Sequence, residues 1–446
     1  MQSIIGTRPI NKLIIKFSIP AVISMLAGAL YNIIDQIFIG NGIEDIAMGA
    51  TTVAFPIVTI CMALALLCGV GGASNFNIES GRGEHSRARH AVGTALFLLC
   101  SGGIILMVFV VVFLDPMLRV CGATDILIDY SLTYASITAF GIPLLIITTG
   151  GTHLIRADKS PAYSMLCTLS GVGINSLLTP VFIFIFGWGI AGAAWATVIG
   201  QFASASLVIF YFLKRQKMNL KWHDLFPVWR RIKRILSLGL AASINQAALL
   251  IVQILINNQL AKYGAQSIYS SEIAITCAGV VTKVTTIFLG VVIGISHGCQ
   301  PIWGFNYGAE NYDRVKEAYK KAVILCLSVG IMFFIVFQIF PSYIIQMFGV
   351  KNEVGIIFAV RYFRIFMFMI FISGLQPMSS GFFTSIGKAK LGVITTLSRQ
   401  ITLIVPLMLV PLWQGIDGII FAGPIADVFA AIITLFLALR EINKMR

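Results

Sequence analysis

Charge is scarce in this sequence. Only 11% of its 446 residues are Asp, Glu, Lys or Arg, against 58% hydrophobic, and the mean hydropathy is +0.91. A soluble domain keeps roughly a quarter of its residues charged to satisfy water at its surface. The apolar excess here has to face another medium, and lipid fits. Cysteine gives no framework either. The eight cysteines are scattered, with seven in apolar stretches, only Cys121 in an outer loop and no CxxC pair. That pattern speaks against a disulfide scaffold, redox chemistry and a zinc-thiolate site. No Walker lysine motif occurs, so ATP does not drive the protein directly. The "GVGGA" at 69–73 lies inside an apolar stretch, where its glycines read as close helix packing. His85 and His90 stand in a loop with no acid or cysteine at metal-ligand spacing, so no metal is expected. No catalytic constellation appears, and the protein is not expected to be an enzyme.

What is present is a series of long apolar runs. They lie approximately at 13–39, 48–72, 91–114, 130–153, 162–186, 190–213, 234–262, 273–300, 317–340, 354–378, 390–412 and 417–439. About 20 helical residues cross the hydrocarbon core, and in lipid a chain without barrel-like alternation must satisfy its backbone as helices. The fold class is therefore all-α integral membrane with twelve transmembrane helices. The first run lacks a short apolar core followed by a small-residue cleavage site, and reads as a retained helix.

The net charge of +14 is not a nucleic-acid signature, because the basic residues alternate between loops. With the N-terminus inside, 25 of the 32 Lys and Arg fall in inner segments, and the outer loops hold Arg119, Lys262 and Lys351. Lys and Arg resist translocation, so both termini are expected in the cytoplasm of a multi-pass cell-membrane protein.

The two halves repeat. At an offset of 227, Gly71, Gly81 and Arg87 match Gly298, Gly308 and Arg314; at 226, Gly189 and Gly192 match Gly415 and Gly418. Six spans return the chain to its starting side, so the repeats share one topology about an axis along the membrane normal. The expected organisation is a first lobe at 1–213, an interfacial linker at 214–233 and a second lobe at 234–446. Basic residues in the linker alternate with Trp222, Phe226 and Trp229, a mixture suited to the cytoplasmic headgroup layer. A regulatory or partner-binding loop is the alternative. Duplication of this kind serves alternating access, in which one half rocks against the other.

Ionisable groups near the bilayer centre cost roughly 2.5–3.5 kcal/mol on insertion scales, so each needs a reason. Asp35 on the first span shares a helix face with Asn32 and Gln36 at i, i+3, i+4 spacing. Counting 1.5 Å per residue, Asn175 and Thr179 on span 5 and Thr197 on span 6 reach a similar depth and can surround Asp35. Burial there disfavours the charged carboxylate, which suits it to taking up and releasing a proton. The plainer reading is an Asp that ties helices together. Lys283, Arg399 and Asp427 also reach mid-membrane, while their repeat mates Pro56, Ser170 and Gln201 are uncharged. One acid with two bases suggests a buried ion network, either structural or engaged in gating. Gln246, Gln253 and Asn257 on span 7, with Gln376 on span 10, line the central cavity or glue helices together. His297 reads as a hydrogen-bonded histidine near the inner end of span 8.

The stretch "GISHGCQPIWGFNYGAENYDRVKEA", from Gly294 to Ala318, resembles a GxxxGxQPxxGxNxGAxxxxR pattern through Gly294, Gly298, Gln300, Pro301, Gly304, Asn306, Gly308, Ala309 and Arg314. With "IDQIFIG" at 34–40, "IRADKSP" at 155–161 and "SRQITLIVPL" at 398–407, it is similar to the multidrug and toxic compound extrusion (MATE) family, on its MepA-type, DinF-like branch. The likeness covers nearly the whole chain. It implies a V-shaped pair of six-helix lobes that exports lipophilic, often cationic compounds in exchange for H+ or Na+. It makes Asp35 the first-helix acid, Asn175 and Thr197 polar positions tied to cation binding, and Pro20 the point where the first helix bends. Two departures stand out. Thr179, in "NSLLTP", replaces the acid usual in that family's "NxxLDP", and Ser373 stands where another branch has an acid on the tenth helix. One carboxylate suits Na+ poorly, since a hard cation wants several oxygens with enough negative charge. The expectation is a monomeric H+-coupled efflux antiporter for a small-molecule substrate in the lipid bilayer, without a cofactor beyond the coupling ion. The competing readings are a lipid-linked precursor flippase, a Na+-coupled exporter of another metabolite, and a receptor or scaffold.

Overall fold

The structure is a computed structural model that describes residues 4–42, 45–121, 127–347 and 353–445. Helices are the only regular elements among these residues, as a chain immersed in lipid requires. Spans 1 to 3 are Ile10–Gly42, Asp45–Gly81 and His85–Val112. Span 5 is Pro161–Pro180 and span 6 is Gly189–Phe210, each continued by a short π-helical turn. Spans 7 to 9 are Trp229–Gly264, Ser271–Gly308 and Tyr312–Ile339; spans 11 and 12 are Ala389–Leu409 and Ile416–Lys444. Spans 4 and 10 are bent pairs. Ile128–Phe140 turns by 53° into Ile142–Ala157, and Glu353–Phe366 turns by 51° into Ile370–Ser385. Among the described residues ten helices are long and apolar enough to cross a membrane, and the two bent pairs, each counted as one span, make twelve.

Hydropathy marked where lipid ends, and the helices run further. Span 8 continues to Gly308, and span 7 starts at Trp229, so Arg230 to Arg234 sit on its first turns. The expected linker is thereby shortened, and its middle forms the 3-10 turn Trp222–Leu225. The break in span 4 falls between Phe140 and Pro143. The N–H groups of Phe140 and Gly141 turn to the carbonyls of Ile137 and Thr138, and proline has no N–H to continue the ladder. Span 1, in contrast, runs unbroken through Pro20, and the Ser24 hydroxyl takes up the Pro20 carbonyl at 2.8 Å.

Each half builds its own apolar core, and each lends a helix end to the other. Ile5, Ile10, Leu13, Ile14 and Phe17 belong to the core of the second half, whereas Ile235 belongs to that of the first. Glycines make these crossings possible. Gly71 lies flat against the Ile235 carbonyl and Gly298 against Ser18; Gly81 meets Phe305, and Gly308 meets Ile78. None of the four has room for a Cβ. Since 78 and 305 also differ by 227, the last two contacts are one contact repeated by the pseudo-two-fold axis.

The same helix faces part towards the opposite end. On span 8, Gly294 is pressed against Val22 of span 1 with no room for a Cβ, a Cβ at Gly290 would only just reach Met25 at 3.8 Å, and one at Gly279 would meet nothing within 4 Å. Thr282, Lys283 and Thr286 are exposed there. The lobes are therefore shut at the end that carries the termini and apart at the other. His297 stands at the shut seam. Span 8 runs on for another three turns beyond it, so it is not a helix-end residue; its Nδ1 has no hydrogen-bond partner, and its ring packs edge-on against His153 of span 4 at 4.6 Å.

Candidate functional site in the first lobe

Spans 1, 5 and 6 run side by side in the first lobe and bring five polar residues together. Asp35 and Tyr31 are one turn apart on span 1, and Asn175 and Thr179 one turn apart on span 5. The Thr179 hydroxyl lies 3.0 Å from Asn175 Oδ1 and 3.3 Å from Asp35 Oδ1, so its single hydrogen is shared between two acceptors. Asn175 Nδ2 in turn donates to Thr197 at 3.1 Å and to Tyr31 at 3.2 Å. Thr197 passes its own hydrogen to the Ala193 carbonyl at 3.0 Å. Tyr134 of span 4 completes the group, with its hydroxyl near Thr197 and Asp35.

Asp35 thus has an incomplete shell. It holds part of one hydroxyl hydrogen, and no cation faces it among the described residues. A carboxylate in apolar surroundings is expensive to keep charged unless it is paired. Taking up a proton removes that cost and turns Asp35 from an acceptor into a donor, to which Asn175 Oδ1 and the hydroxyls offer acceptors. A cation would instead find oxygens from Asp35, Thr179 and Asn175, with a single negative charge among them.

Asn32 and Gln36 have side chains outside the described residues. Gln201 does not join the cluster; it packs against Gly141 at the break in span 4, and its Oε1 has no partner. In the second lobe, Arg399 Nε donates to Asp427 Oδ1 at 2.8 Å, and Asp427 is buried. The expected three-membered network is corrected here, since Lys283 stands exposed and outside this pair. Gln253 Nε2 donates to Asn257 Oδ1 at 3.0 Å along the half-buried face of span 7, where Gln246 also lies. Gln376 and Ser373 are buried within span 10.

The tyrosines were missed. Tyr31 carried a signal, since it precedes Asp35 by four residues, the spacing of helical neighbours. Tyr134 had none, because its approach depends on the bend in span 4.

A membrane protein of two six-span lobes, with a polar cluster inside one and a cleft between them, has the architecture of MATE transporters. The MatE family model matches residues 20–181 and 236–410, and the chain belongs to that family. It is similar to the multidrug export protein MepA of Staphylococcus haemolyticus strain JCSC1435, with 23% identity over 98% of this chain and 95% of that one. MepA of Staphylococcus aureus strain MRSA252 is also 23% identical, over 96% and 93%. Among solved structures, an outward-facing MATE-family multidrug resistance transporter of the MOP superfamily superposes with a TM-score of 0.92 at 22% identity, covering 98% of this chain and 97% of its own. A MOP-superfamily transporter from Pyrococcus furiosus, described as having a binding pocket of reverse polarity, gives 0.91 at 21% identity, covering 98% and 97%.

Proposed function

We propose that this chain is an efflux antiporter that exports lipophilic, often cationic compounds in exchange for protons, with Asp35 as its coupling group. The reading rests on one observation: a half-buried carboxylate that faces no counter-charge among the described residues, held by the shared hydrogen of Thr179. The names of the MepA relatives support multidrug export, and the basic loops support an orientation with both termini in the cytoplasm of a cell-membrane protein. The open end of the cleft then faces outside. Protons entering from there neutralise Asp35, span 1 flexes near Pro20 and the cargo leaves. Loss of the proton to the cytoplasm resets the site. A single carboxylate favours H+ over Na+.

The test is ethidium transport by the purified protein in liposomes under an imposed pH or Na+ gradient. Transport driven by the pH gradient and lost in Asp35→Asn supports the reading; an Asp35→Asn protein that pumps at the wild-type rate overturns it. A second reading rests on Lys283, a cation exposed where the lobes part. It favours cargo with an acidic group, as in a lipid-linked precursor flippase. Competition of ethidium transport by anionic amphiphiles, lost in Lys283→Gln, would favour that alternative.

A further inference from the structure

On the end read above as cytoplasmic, the linker and span 3 bring together three groups for which transport has no use. His90 lies in the second turn of span 3; His223 and Asp224 belong to the 3-10 turn Trp222–Leu225. The turn is seated directly on span 3, where Gly93 leaves no room between its Cα and the Asp224 carbonyl. Asp224 is fully buried, at 0% exposure. Its two oxygens have different surroundings. Oδ2 accepts from the Lys221 N–H at 2.9 Å and faces Arg89 Nε at 3.6 Å. Oδ1 has no hydrogen-bond partner, and it stands 3.0 Å from His90 Nδ1 and 3.3 Å from His223 Nε2. The two imidazole rings meet edge-on, with centroids 5.5 Å apart.

These spacings are those of ligands around an ion. Zn2+ binds imidazole nitrogen and carboxylate oxygen at about 2.0–2.2 Å, so neighbouring ligand atoms of a tetrahedral site stand roughly 3.3 Å apart. All three ligand atoms lie within 4.8 Å of one another. His223 is 59% exposed, which leaves the outer face open to water as a fourth ligand. We propose that His90, His223 and Asp224 form a binding site for a divalent transition-metal ion of the Zn2+ class, which clamps the inter-lobe linker to span 3. Two imidazoles and one carboxylate suit Zn2+, Ni2+ or Cu2+ better than Mg2+ or Ca2+, which prefer all-oxygen shells. His90 Nδ1 also lies 2.8 Å from the Ser86 carbonyl, so ligation needs the tautomer with its hydrogen on Nε2 and gives up that bond. Arg89 stays on Oδ2. Its charge weakens the site and makes it a reversible clamp rather than a permanent structural ion. Sequence reading missed the site because His90 and the 223–224 pair are 133 residues apart and only the folded linker joins them.

The experiment titrates the full-length, tag-free protein in detergent with ZnCl2 alone, followed by calorimetry, and then with CoCl2, followed by visible absorption. The expected result is one ion per chain, with a Co2+ spectrum characteristic of nitrogen and oxygen ligands. His223→Ala, at an exposed position with little bearing on folding, lowers affinity at least about tenfold, as do His90→Ala and Asp224→Asn. His85→Ala leaves binding unchanged. No binding by the wild type at millimolar Zn2+, or binding undiminished in the His90→Ala, His223→Ala double variant, overturns the proposal.

Discussion

Gly81 and Gly308 lie 227 residues apart in the chain, and each presses on the helix that carries the other. Gly81 meets the Phe305 carbonyl and Gly308 the Ile78 carbonyl, so the duplication is expressed as a reciprocal contact across the lobe seam. The obstructing atoms on both sides are backbone, which cannot swing away as a flexible side chain can. Gly308→Leu is expected to force the seam open at a cost of about 1–3 kcal/mol. Distances between spin labels at the inner ends of spans 3 and 9 should lengthen by several ångströms. Unchanged distances would show that the seam tolerates a side chain.

Thr179 divides one hydrogen between Asp35 and Asn175. Thr179→Asp places a second carboxylate beside the first and supplies the negative charge that a hard cation wants. Transport by this variant should become Na+-dependent in liposomes without a pH gradient. Continued indifference to Na+ would mean that the ion site needs more than charge.

Tyr31 accepts from Asn175 and stands one turn before Asp35. Tyr31→Phe leaves a buried N–H short of one acceptor, at a cost of about 1–3 kcal/mol where no water replaces it. The expected outcome is a severalfold loss of proton-driven ethidium transport with normal expression and a normal elution profile. Wild-type rates would place Tyr31 outside the coupling cluster.

Half-buried Arg399 and buried Asp427 form an ion pair in the second lobe. Arg399→Met strands a carboxylate, and breaking a buried pair from one side costs about 3–5 kcal/mol. The double variant Arg399→Met, Asp427→Leu removes both charges and should recover most of that stability. Thermal unfolding in detergent measures both. If the double variant transports ethidium at the wild-type rate, the pair is structural; if it is stable and inactive, the pair takes part in coupling.

The membrane class, the number of spans and the twofold repeat were legible in the sequence, because each depends on local hydropathy and on residues that recur at fixed distance. The depth of Asp35, Asn175, Thr179 and Thr197 was legible too, since depth along a straight helix is only a count of residues. Tertiary structure decided what depth cannot: the direction each side chain takes and its distance from others at the same level. It separated Lys283 from the Arg399–Asp427 pair, turned Gln201 to the break in span 4, and brought Tyr134 to Thr197 through a bend that hydropathy does not register. It also carried His223 and Asp224 back onto His90. Hydropathy measures transfer into lipid one segment at a time, whereas these pairings are set by helix rotation and by close packing at glycines distant in the chain.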